Sequence, residues 1–563
     1  MEKYSKTAKE LFQKSIAAVT GIFPGTTVTL GRTALAADGR QTPEGHLAAV
    51  VNRVFRYCAG ESVSVLHENG GDDKGGDIYE MLLRAAERAK GLFCSFYASG
   101  ENRKRAEEAL SVLRDPGAAA ETKAETISRI WAPETAMPDE KTLQRWKLTG
   151  VQPNPHPIQP TEVVLQLNAL YTLPDNVDGD GSAVPAAYVK EARRVLQNPG
   201  KKVADYDHPV HLYEEDGNHE LINCLKELDN DLAFEKKQGV LPEMHKMPVL
   251  LSVSVTHENL DEICGNWIIE RVRSLALQHM RLFVLTEEAI NSVKAELIGP
   301  GFRVYSVFGK YGVHFNALKY TQLLMERAYG IKAGFKLDTD EGIRSEELYY
   351  ITGETWLQTL CHELWDGSAR DWRGRKVQLA FNLGEYMNEQ DINHLGYKRA
   401  MRTPDVKRRK NHQHGDLFFN KGDAHAKATE LYNRFHRLQD HISHTVVKGG
   451  GYGITNSGLR KALPFTFSLV GRAEDQQFYF SGLAGGTRGI FHPDLRIAHY
   501  KGAVASSEKK TAVSRFIGDM YRLVIFQHLA EYFGVKEDID PMPGIFAGPL
   551  ARAQAFLHTL YKS

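Results

Sequence analysis

Apolar runs rich in β-branched residues alternate with helical segments between residues 247 and 343, and this alternation limits the folds open to the chain. Four runs have the composition of strands: MPVLLSVSV (247–255), MRLFVL (280–285), GFRVYSVF (301–308) and IKAGFKLD (331–338). The segment NALKYTQLLMERAYG predicts a helix that ends at Gly330. Strands that alternate with helices favour an α/β fold with a doubly wound, mostly parallel sheet.

Three carboxylates stand within four residues where the last of these strands ends. The stretch FKLDTDEGI places Asp338, Asp340 and Glu341 after an apolar run. Like charges this close repel unless a cation or a hydrogen-bond network offsets them. The clusters Thr256–Glu258 and Thr286–Glu288 follow two other strands, and in a parallel sheet all three would meet at the ligand-binding edge. A charged turn or a helix cap is the alternative interpretation of the acidic stretch.

Charge and cysteine content exclude several classes of protein. The chain carries 70 basic and 70 acidic side chains, so its net charge gives no reason to expect a nucleic-acid partner. Five scattered cysteines without a CxxC pair suit the reduced thiols of a cytoplasmic protein. No apolar run approaches the length of a transmembrane helix, so we expect a soluble protein without a membrane span.

Five motifs, in order and spacing, resemble those of nucleotide-sugar-dependent glycosyltransferases of the GT-A fold, in particular the family-2-like members. The resemblance covers roughly residues 247–502, somewhat under half of the chain. The motifs are LLSVSVTHENL, GKYGVHFNALKYTQLLMERA, FKLDTDE, LVGRAEDQQFYF and IFHPDLRIAHYKG. Of these, FKLDTDE resembles the DxD motif of the family, and the resemblance implies a GT-A-like catalytic domain.

The resemblance also implies a divalent cation, Mn²⁺ or Mg²⁺, that bridges the diphosphate of the sugar donor. Asp340 is then the expected direct ligand and His499 the second. Asp338 would bind the metal or the ribose, with Glu341 as a less certain helper. Further donor-binding residues are expected among polar and basic side chains near the strand ends: Thr256, Glu258, Lys310, Arg488 and Lys501. For Arg488 and Lys501, ordinary salt bridges are the alternative.

The sequence GRAEDQQ places Glu474 and Asp475 at a predicted helix start. In inverting enzymes of the resembled family, such an acid is the general base on the acceptor hydroxyl, and we expect Asp475 in this role, with Glu474 as the alternative. Both acids would also suit a helix N-terminus for purely electrostatic reasons. The partners implied are a nucleotide-diphosphate sugar donor and a small-molecule or glycan acceptor.

The length of 563 residues exceeds what one core normally supports, so we expect several regions. The prediction is a helical accessory or oligomerisation region at 1–140, a Pro-rich linker and strap at 141–245, a GT-A-like catalytic domain at 246–505 and C-terminal helices at 506–563. Residues 345–465 are expected to be an acceptor-side insertion. A homo-oligomer is also expected.

Two other functions compete with the transferase. A sugar-nucleotide pyrophosphorylase would use the same metal and diphosphate, but its Gly-rich loop after the first strand is replaced here by VTHENLDE. A non-catalytic sugar-nucleotide-binding scaffold is the other alternative. Intact Asp338, Asp340, Asp475 and His499 argue against it.

Overall fold

The computed structural model describes a little more than half of the chain. The described residues are 6–20, 60, 90, 94, 97–98, 100–118, 122, 126, 148–175, 177, 184–200, 210–214, 217, 219–290, 292, 311–388, 451–462, 474–500, 533–535 and 538.

A parallel core of four strands forms one half of a mixed sheet. The strands are β2 (Val163–Thr172), β4 (Met247–Val255), β5 (Met280–Leu285) and β6 (Ala333–Asp338). Their spatial order is β5-β4-β2-β6, and each neighbouring pair is parallel. The short strand β3 (Val210–His211) also pairs in parallel with β2. The chain therefore moves from β2 outward to β5 and then returns to the other side of β2 for β6.

The other half of the sheet is largely antiparallel. It is built from β1 (Thr149–Gln152), β7 (Glu341–Gly342), β8 (Ser368–Arg370), β9 (Lys376–Asn388), β10 (Tyr452–Thr455) and β11 (Thr487–His499). Strand β10 lies antiparallel between β6 and β9, whereas β11 runs parallel to β9 and antiparallel to β7. The sheet is thus mixed, and its parallel pairs concentrate around β2.

Helices cover both faces of the parallel core. The described helices after the first 120 residues are α3 (Val189–Gln197), α4 (Glu220–Lys237), α5 (Asp261–Ser274), α6 (Tyr311–Tyr329), α7 (Ser345–Thr352), α8 (Trp356–Leu360), α9 (Asn456–Lys461) and α10 (Glu474–Ala484). Helix α6 packs Leu318 and Met325 against one face of β2 and β4. Helices α4 and α5 pack against the opposite face. The predicted α/β class is therefore confirmed.

Local sequence explains where the two longest of these helices begin or end. Helix α4 starts after His219, whose ring Nδ1 accepts a hydrogen bond from the backbone N–H of Ile222. Helix α6 stops before Gly330, which has a φ of +70°. A glycine adopts this left-handed conformation at little cost, so it terminates the helix as the sequence predicted.

In the first 120 residues the structure describes two helices, α1 (Lys6–Thr20) and α2 (Gly100–Arg114). Leu11 and Phe12 of α1 and Leu110 of α2 are buried, and Arg114 makes a bidentate ion pair with Glu10. These helices agree with the helical character predicted for residues 1–140. The helices predicted for 506–563 lie outside the described residues, apart from 533–535 and 538.

Two predicted boundaries need correction. The segment 141–245 was expected to be a linker and strap, yet it contains β2, the strand at the centre of the sheet, and helix α4. Four prolines upstream obscured the apolar run VVLQLNALYT, which is buried from Val163 to Tyr171. The segment 345–465 was expected to be an insertion, but β8, β9 and β10 belong to the same sheet.

Candidate functional site

The acidic loop, defined here as Asp338, Asp340 and Glu341, brings three carboxylates together. Each offers an oxygen atom, and these atoms lie within 4.8 Å of one another. Strand β6 ends at Asp338, the chain turns through 339 and 340, and Glu341 begins β7. Asp340 is 6% exposed and Glu341 is 2% exposed. Hard divalent cations prefer carboxylate oxygens, so the donor set fits Mg²⁺ or Mn²⁺.

The acidic loop lies at the position where the chain reverses its direction of travel across the sheet. From β2 the chain proceeds to β4 and β5 on one side, whereas β6 adds on the other side. Ligands of open α/β sheets bind in the crevice outside the carboxyl ends of the strands at such a switch point. The three predicted polar clusters follow β4, β5 and β6, which are parallel, so all three lie at the carboxyl edge as predicted.

Lys336 offsets part of the negative charge of the acidic loop. Its Nζ lies 2.5 Å from Asp338 Oδ1, and the lysine is only 4% exposed. Glu341 Oε2 accepts a hydrogen bond of 3.0 Å from the backbone N–H of Asp338. A cation bound by Asp338 must therefore share that carboxylate with Lys336.

One row of side chains on helix α4 contacts the acidic loop and its neighbours. Glu220 accepts a hydrogen bond from the hydroxyl of Thr339, and Cys224 Sγ lies 3.8 Å from the carbonyl oxygen of Glu341. Glu227 accepts a hydrogen bond from the Tyr500 hydroxyl. Burial raises the pKa of the Cys224 thiol, and the charges of four nearby carboxylates raise it further. This region therefore carries a strongly negative local field.

Asn168 of β2 is a second unusual feature beside the acidic loop. It pairs directly with Asp338 in the parallel register of β2 and β6, so both side chains lie on the same face of the sheet. Asn168 is 6% exposed, yet neither its Oδ1 nor its Nδ2 has a hydrogen-bond partner in the described part of the chain. A buried amide without partners costs roughly 1–3 kcal/mol, which indicates a group kept for a ligand.

The structure brings the backbone of His499 next to the acidic loop. Strand β11 pairs antiparallel with β7, which places His499 directly opposite Glu341 and Ala498 opposite Gly342. His499, the predicted second metal ligand, is thus adjacent in the sheet to Glu341, which follows the predicted first ligand, Asp340, in the chain. Glu474 and Asp475 lie in helix α10, whose described part begins at Glu474. The side chains of these three residues are outside what the structure describes.

Thr256 and Glu258 both lie at the carboxyl edge, but in different environments. Thr256 is buried, and its hydroxyl donates to Thr172 Oγ1 at 3.0 Å and lies 2.9 Å from His257 Nδ1. Glu258 is exposed at the start of a short 3-10 helix. Their strand β4 is one position removed from β6, because β2 lies between them. The strand that directly adjoins β6 on this side is β2.

Arg488 does not fit the phosphate-binding role predicted for it. The side chain is 0% exposed and forms a salt bridge of 3.0 Å with Asp371. Its guanidinium also donates to the carbonyl oxygens of Leu483 and Thr487, and Asp538 lies 3.8 Å away. The salt-bridge alternative is therefore correct for Arg488. Lys310 and Lys501 lie outside the described residues.

Several residues of the site escaped the sequence analysis although the sequence holds signals for them. Gln166 and Asn168 interrupt an apolar run at alternate positions, which indicates a strand face that meets polar groups. Four of the five acidic residues of α4 recur at helical spacing, which indicates one acidic face. They are Glu220, Glu227, Asp231 and Glu235.

No protein-family model matches this chain, and no curated protein matches its sequence. Among the helices described, none combines the length and the hydropathy needed to cross a lipid bilayer.

Proposed function

We propose that this chain is a metal-dependent glycosyltransferase that moves a sugar from a nucleotide-diphosphate sugar to a hydroxyl acceptor. The observation that carries the proposal is the acidic loop, whose three carboxylates converge within 4.8 Å at the switch point of a parallel sheet. The GT-A resemblance of the motifs is its second support. The proposed protein is soluble, cytoplasmic and homo-oligomeric.

The carboxylates of the acidic loop have a clear task in this reaction. Transfer of the sugar leaves negative charge on the nucleoside diphosphate, and a bound Mn²⁺ or Mg²⁺ would stabilise that charge. Asp340 and Asp338 would hold the cation, together with His499 and with Glu341 as a helper. Lys336, 2.5 Å from Asp338, would adjust how much negative charge that carboxylate offers.

Donor binding is assigned to the same edge of the sheet. Asn168, buried beside Asp338 and without hydrogen-bond partners, is proposed to bind polar atoms of the donor nucleotide. Thr256 and Glu258 follow β4, which is separated from β6 by β2. They would contact parts of the donor nucleotide that lie farther from the acidic loop. Lys310 and Lys501 remain proposed phosphate-binding residues.

Asp475 is proposed to take the proton from the acceptor hydroxyl, with Glu474 as the alternative base. Both lie in helix α10. A general base must be ionised at working pH and within hydrogen-bond reach of the hydroxyl. The resemblance of the segment LVGRAEDQQFYF to the acceptor-side motif of the family supports this assignment.

The test is a thermal-shift panel of UDP-, GDP-, ADP- and CMP-sugars, each with and without Mn²⁺ or Mg²⁺. Binding to the native state raises the melting temperature, so one nucleotide class should raise it only when metal is present. Absence of any shift across the panel would contradict the proposal. Release of nucleoside diphosphate from the sugar nucleotide that binds identifies a transferase. Formation of nucleoside triphosphate from pyrophosphate identifies a pyrophosphorylase, and binding without turnover identifies a scaffold.

A further inference from the structure

Tyr500 connects three parts of the site. Its backbone N–H donates a hydrogen bond of 2.8 Å to the carbonyl oxygen of Asp340. Its hydroxyl donates to Oε1 of Glu227 on helix α4. It also follows His499 directly in the chain, at the end of β11. One residue therefore links the acidic loop, the last strand of the sheet and the helix that supports the loop.

Gly342 shows how closely the Tyr500–Glu227 pair packs on the acidic loop. A Cβ atom at position 342 would lie 2.7 Å from the Tyr500 hydroxyl oxygen and 2.8 Å from Glu227 Oε1. Real Cβ contacts are essentially never this short. The φ of Gly342 is not in the left-handed region, so the glycine is required here for space and not for backbone conformation. The pair therefore fits directly against the backbone of the loop.

We propose that Tyr500 and Glu227 form a clamp that holds Asp340 and His499 at the spacing a divalent cation requires. This inference rests on the proposed function and deepens it, because it assigns control of cation affinity to two residues that do not bind the cation. Tyr500 and Glu227 are positioning residues. The hydrogen bond between them joins the tyrosine hydroxyl to a carboxyl oxygen.

The physical reason is the cost of arranging like charges before the cation arrives. The carboxylates of the acidic loop repel one another, and an untethered loop would separate them. The clamp fixes the Asp340 backbone from one side, while pairing of His499 with Glu341 fixes the other. Preorganised ligands lose less conformational freedom on binding, which raises affinity. Partners that orient metal ligands typically change metal affinity by about 10- to 100-fold when they are removed.

Tyr500→Phe in the full chain is the principal test, because it breaks the hydrogen bond of the clamp to Glu227 without changing any charge. Binding of Mn²⁺ alone is measured by the electron paramagnetic resonance signal of the free ion. We expect the dissociation constant of Tyr500→Phe to rise about 10- to 100-fold over that of the wild type. Glu227→Gln is the second variant, and it removes a negative charge as well as weakening the hydrogen bond.

Tyr188→Phe is the matched control. Tyr188 also donates its hydroxyl to a glutamate on a helix, Glu270 of α5, but neither residue contacts the acidic loop. This control loses the same chemical group from the same kind of pair, and we expect its Mn²⁺ affinity to equal that of the wild type. Melting temperatures without metal show whether the two tyrosine variants remain folded.

The outcomes separate the clamp from the proposed function. Mn²⁺ binding that weakens in Tyr500→Phe but not in Tyr188→Phe supports the clamp. Wild-type affinity in Tyr500→Phe overturns it, and if Glu227→Gln alone is weakened, Glu227 acts only through its charge. A wild-type chain that binds neither Mn²⁺ nor Mg²⁺ overturns the proposed function itself. If Tyr500→Phe is unfolded without metal, Glu227→Gln decides the question at low and high salt. Wild-type affinity, or a weakening that high salt abolishes, overturns the clamp. A weakening that persists at high salt supports it, because a pure charge effect is screened by salt.

Discussion

Two groups of carboxylates lie at helix α4, one in contact with the helix and one on it, and they differ in the groups that their oxygens face. The first is the acidic loop, Asp338, Asp340 and Glu341, whose oxygens face one another. The second is the buried acid pair, defined as Asp231 and Glu235 on α4 itself. Asp231 accepts a hydrogen bond of 2.8 Å from the backbone N–H of Ser345, the first residue of α7.

Glu235 completes the pair by serving two further donors. Its Oε1 accepts from the Ser345 hydroxyl at 2.5 Å and from the backbone N–H of Leu357 in α8 at 3.0 Å. The buried acid pair therefore caps the N-termini of two helices, whose first backbone N–H groups have no partner within the helix. The oxygens of the buried acid pair face protein donors. In the acidic loop, Asp338 Oδ1 and Glu341 Oε2 also face protein donors, but the three carboxylates additionally place oxygens within 4.8 Å of one another.

Ionisation also distinguishes the buried acid pair. Burial raises the pKa of Asp231 to about 8, although the hydrogen bond from the Ser345 backbone opposes the shift. Burial likewise raises the pKa of Glu235. Asp231 Oδ2 and Glu235 Oε2 have no hydrogen-bond partner among the described residues, so no hydrogen bond there offsets the cost of burying a charge. Low exposure alone therefore does not identify a functional carboxylate. The groups that its oxygens face distinguish a carboxylate that caps a helix from one that faces other carboxylates.

The largest expected effect is the loss of activity in Asp340→Asn. If the acidic loop holds the cation, this change removes a charged ligand while keeping the shape of the side chain. We expect metal-dependent turnover to fall by about 10²- to 10³-fold, the range seen when one transition-state stabilising group is lost. The free energy of unfolding should stay the same or rise, since like-charge repulsion decreases.

Asp229→Asn is the control for this substitution. Asp229 lies on α4 and accepts hydrogen bonds from the backbone N–H groups of Gln278 and His279. These two residues precede β5, so Asp229 is at the edge of the sheet opposite the acidic loop. Asp229→Asn removes the same charge as Asp340→Asn but at a position outside the acidic loop, so turnover should be unchanged. Equal losses in both variants would mean that the net charge of α4 and its neighbours matters, and not metal ligation.

Glu235→Ala should show the reverse pattern, with a large effect on stability. The change leaves the Leu357 N–H and the Ser345 hydroxyl without their buried acceptor. We expect the free energy of unfolding in urea to fall by about 3 kcal/mol, with cation affinity retained in the folded fraction. Glu235→Gln keeps an acceptor oxygen and should lose about 1 kcal/mol or less. If both variants lost the same amount, hydrogen-bond acceptance would not be the cause.

The sequence was sufficient to predict the acidic loop and its edge of the sheet. A β-rich run followed by acids predicts the end of a strand, and the parallel direction of β4, β5 and β6 follows from the helices between them. These features depend on local patterns, so they can be inferred without tertiary information.

The central strand and the supporting helix could not be placed in the same way. Val163–Thr172 pairs with β4 and β6, which follow it by about 80 and 170 residues, and no local pattern indicates such distant pairing. Arg488 was misassigned for the same reason, because its partner Asp371 is 117 residues away. Partners that are far apart in the chain are set by topology, which local sequence patterns do not specify.

Stability should depend on pH through the buried acid pair, and Asp231→Asn should reduce this dependence. The folded-state pKa of Asp231, about 8, exceeds the ordinary value of 3.8, so folding favours its protonated form. Its stabilising contribution is complete below about pH 4 and is lost as pH rises through 8. The slope cannot exceed about 1.4 kcal/mol per pH unit.

Urea unfolding of the wild type and of Asp231→Asn between pH 5 and 9 measures this effect. The amide keeps an acceptor for the Ser345 N–H but cannot ionise. The variant should therefore gain stability relative to the wild type as pH increases, with the gain levelling off above pH 8. Parallel curves for the two proteins would show that Asp231 does not change its protonation in this range.

Asn168→Leu has the smallest expected effect, and it tests whether an unpartnered polar group marks the functional side of the comparison. Leucine has a similar size and removes a buried amide whose two polar atoms have no partners. We expect the free energy of unfolding to rise by about 1 kcal/mol. Binding of the donor nucleotide should weaken in the same variant, because functional groups are often retained at a cost in stability.

Asn456→Leu is the contrasting control for Asn168→Leu. Asn456 is equally buried, but its Nδ2 donates to the carbonyl oxygen of Ile331 at 2.7 Å and its Oδ1 accepts from Gln322 at 2.8 Å. The same substitution there leaves two buried partners unsatisfied and should lower stability by about 2 kcal/mol. Destabilisation of both variants would imply that Asn168 supports the fold. If the free energy of unfolding rises in Asn168→Leu and falls in Asn456→Leu, and nucleotide binding weakens only in Asn168→Leu, Asn168 belongs with the acidic loop as a residue maintained for a ligand.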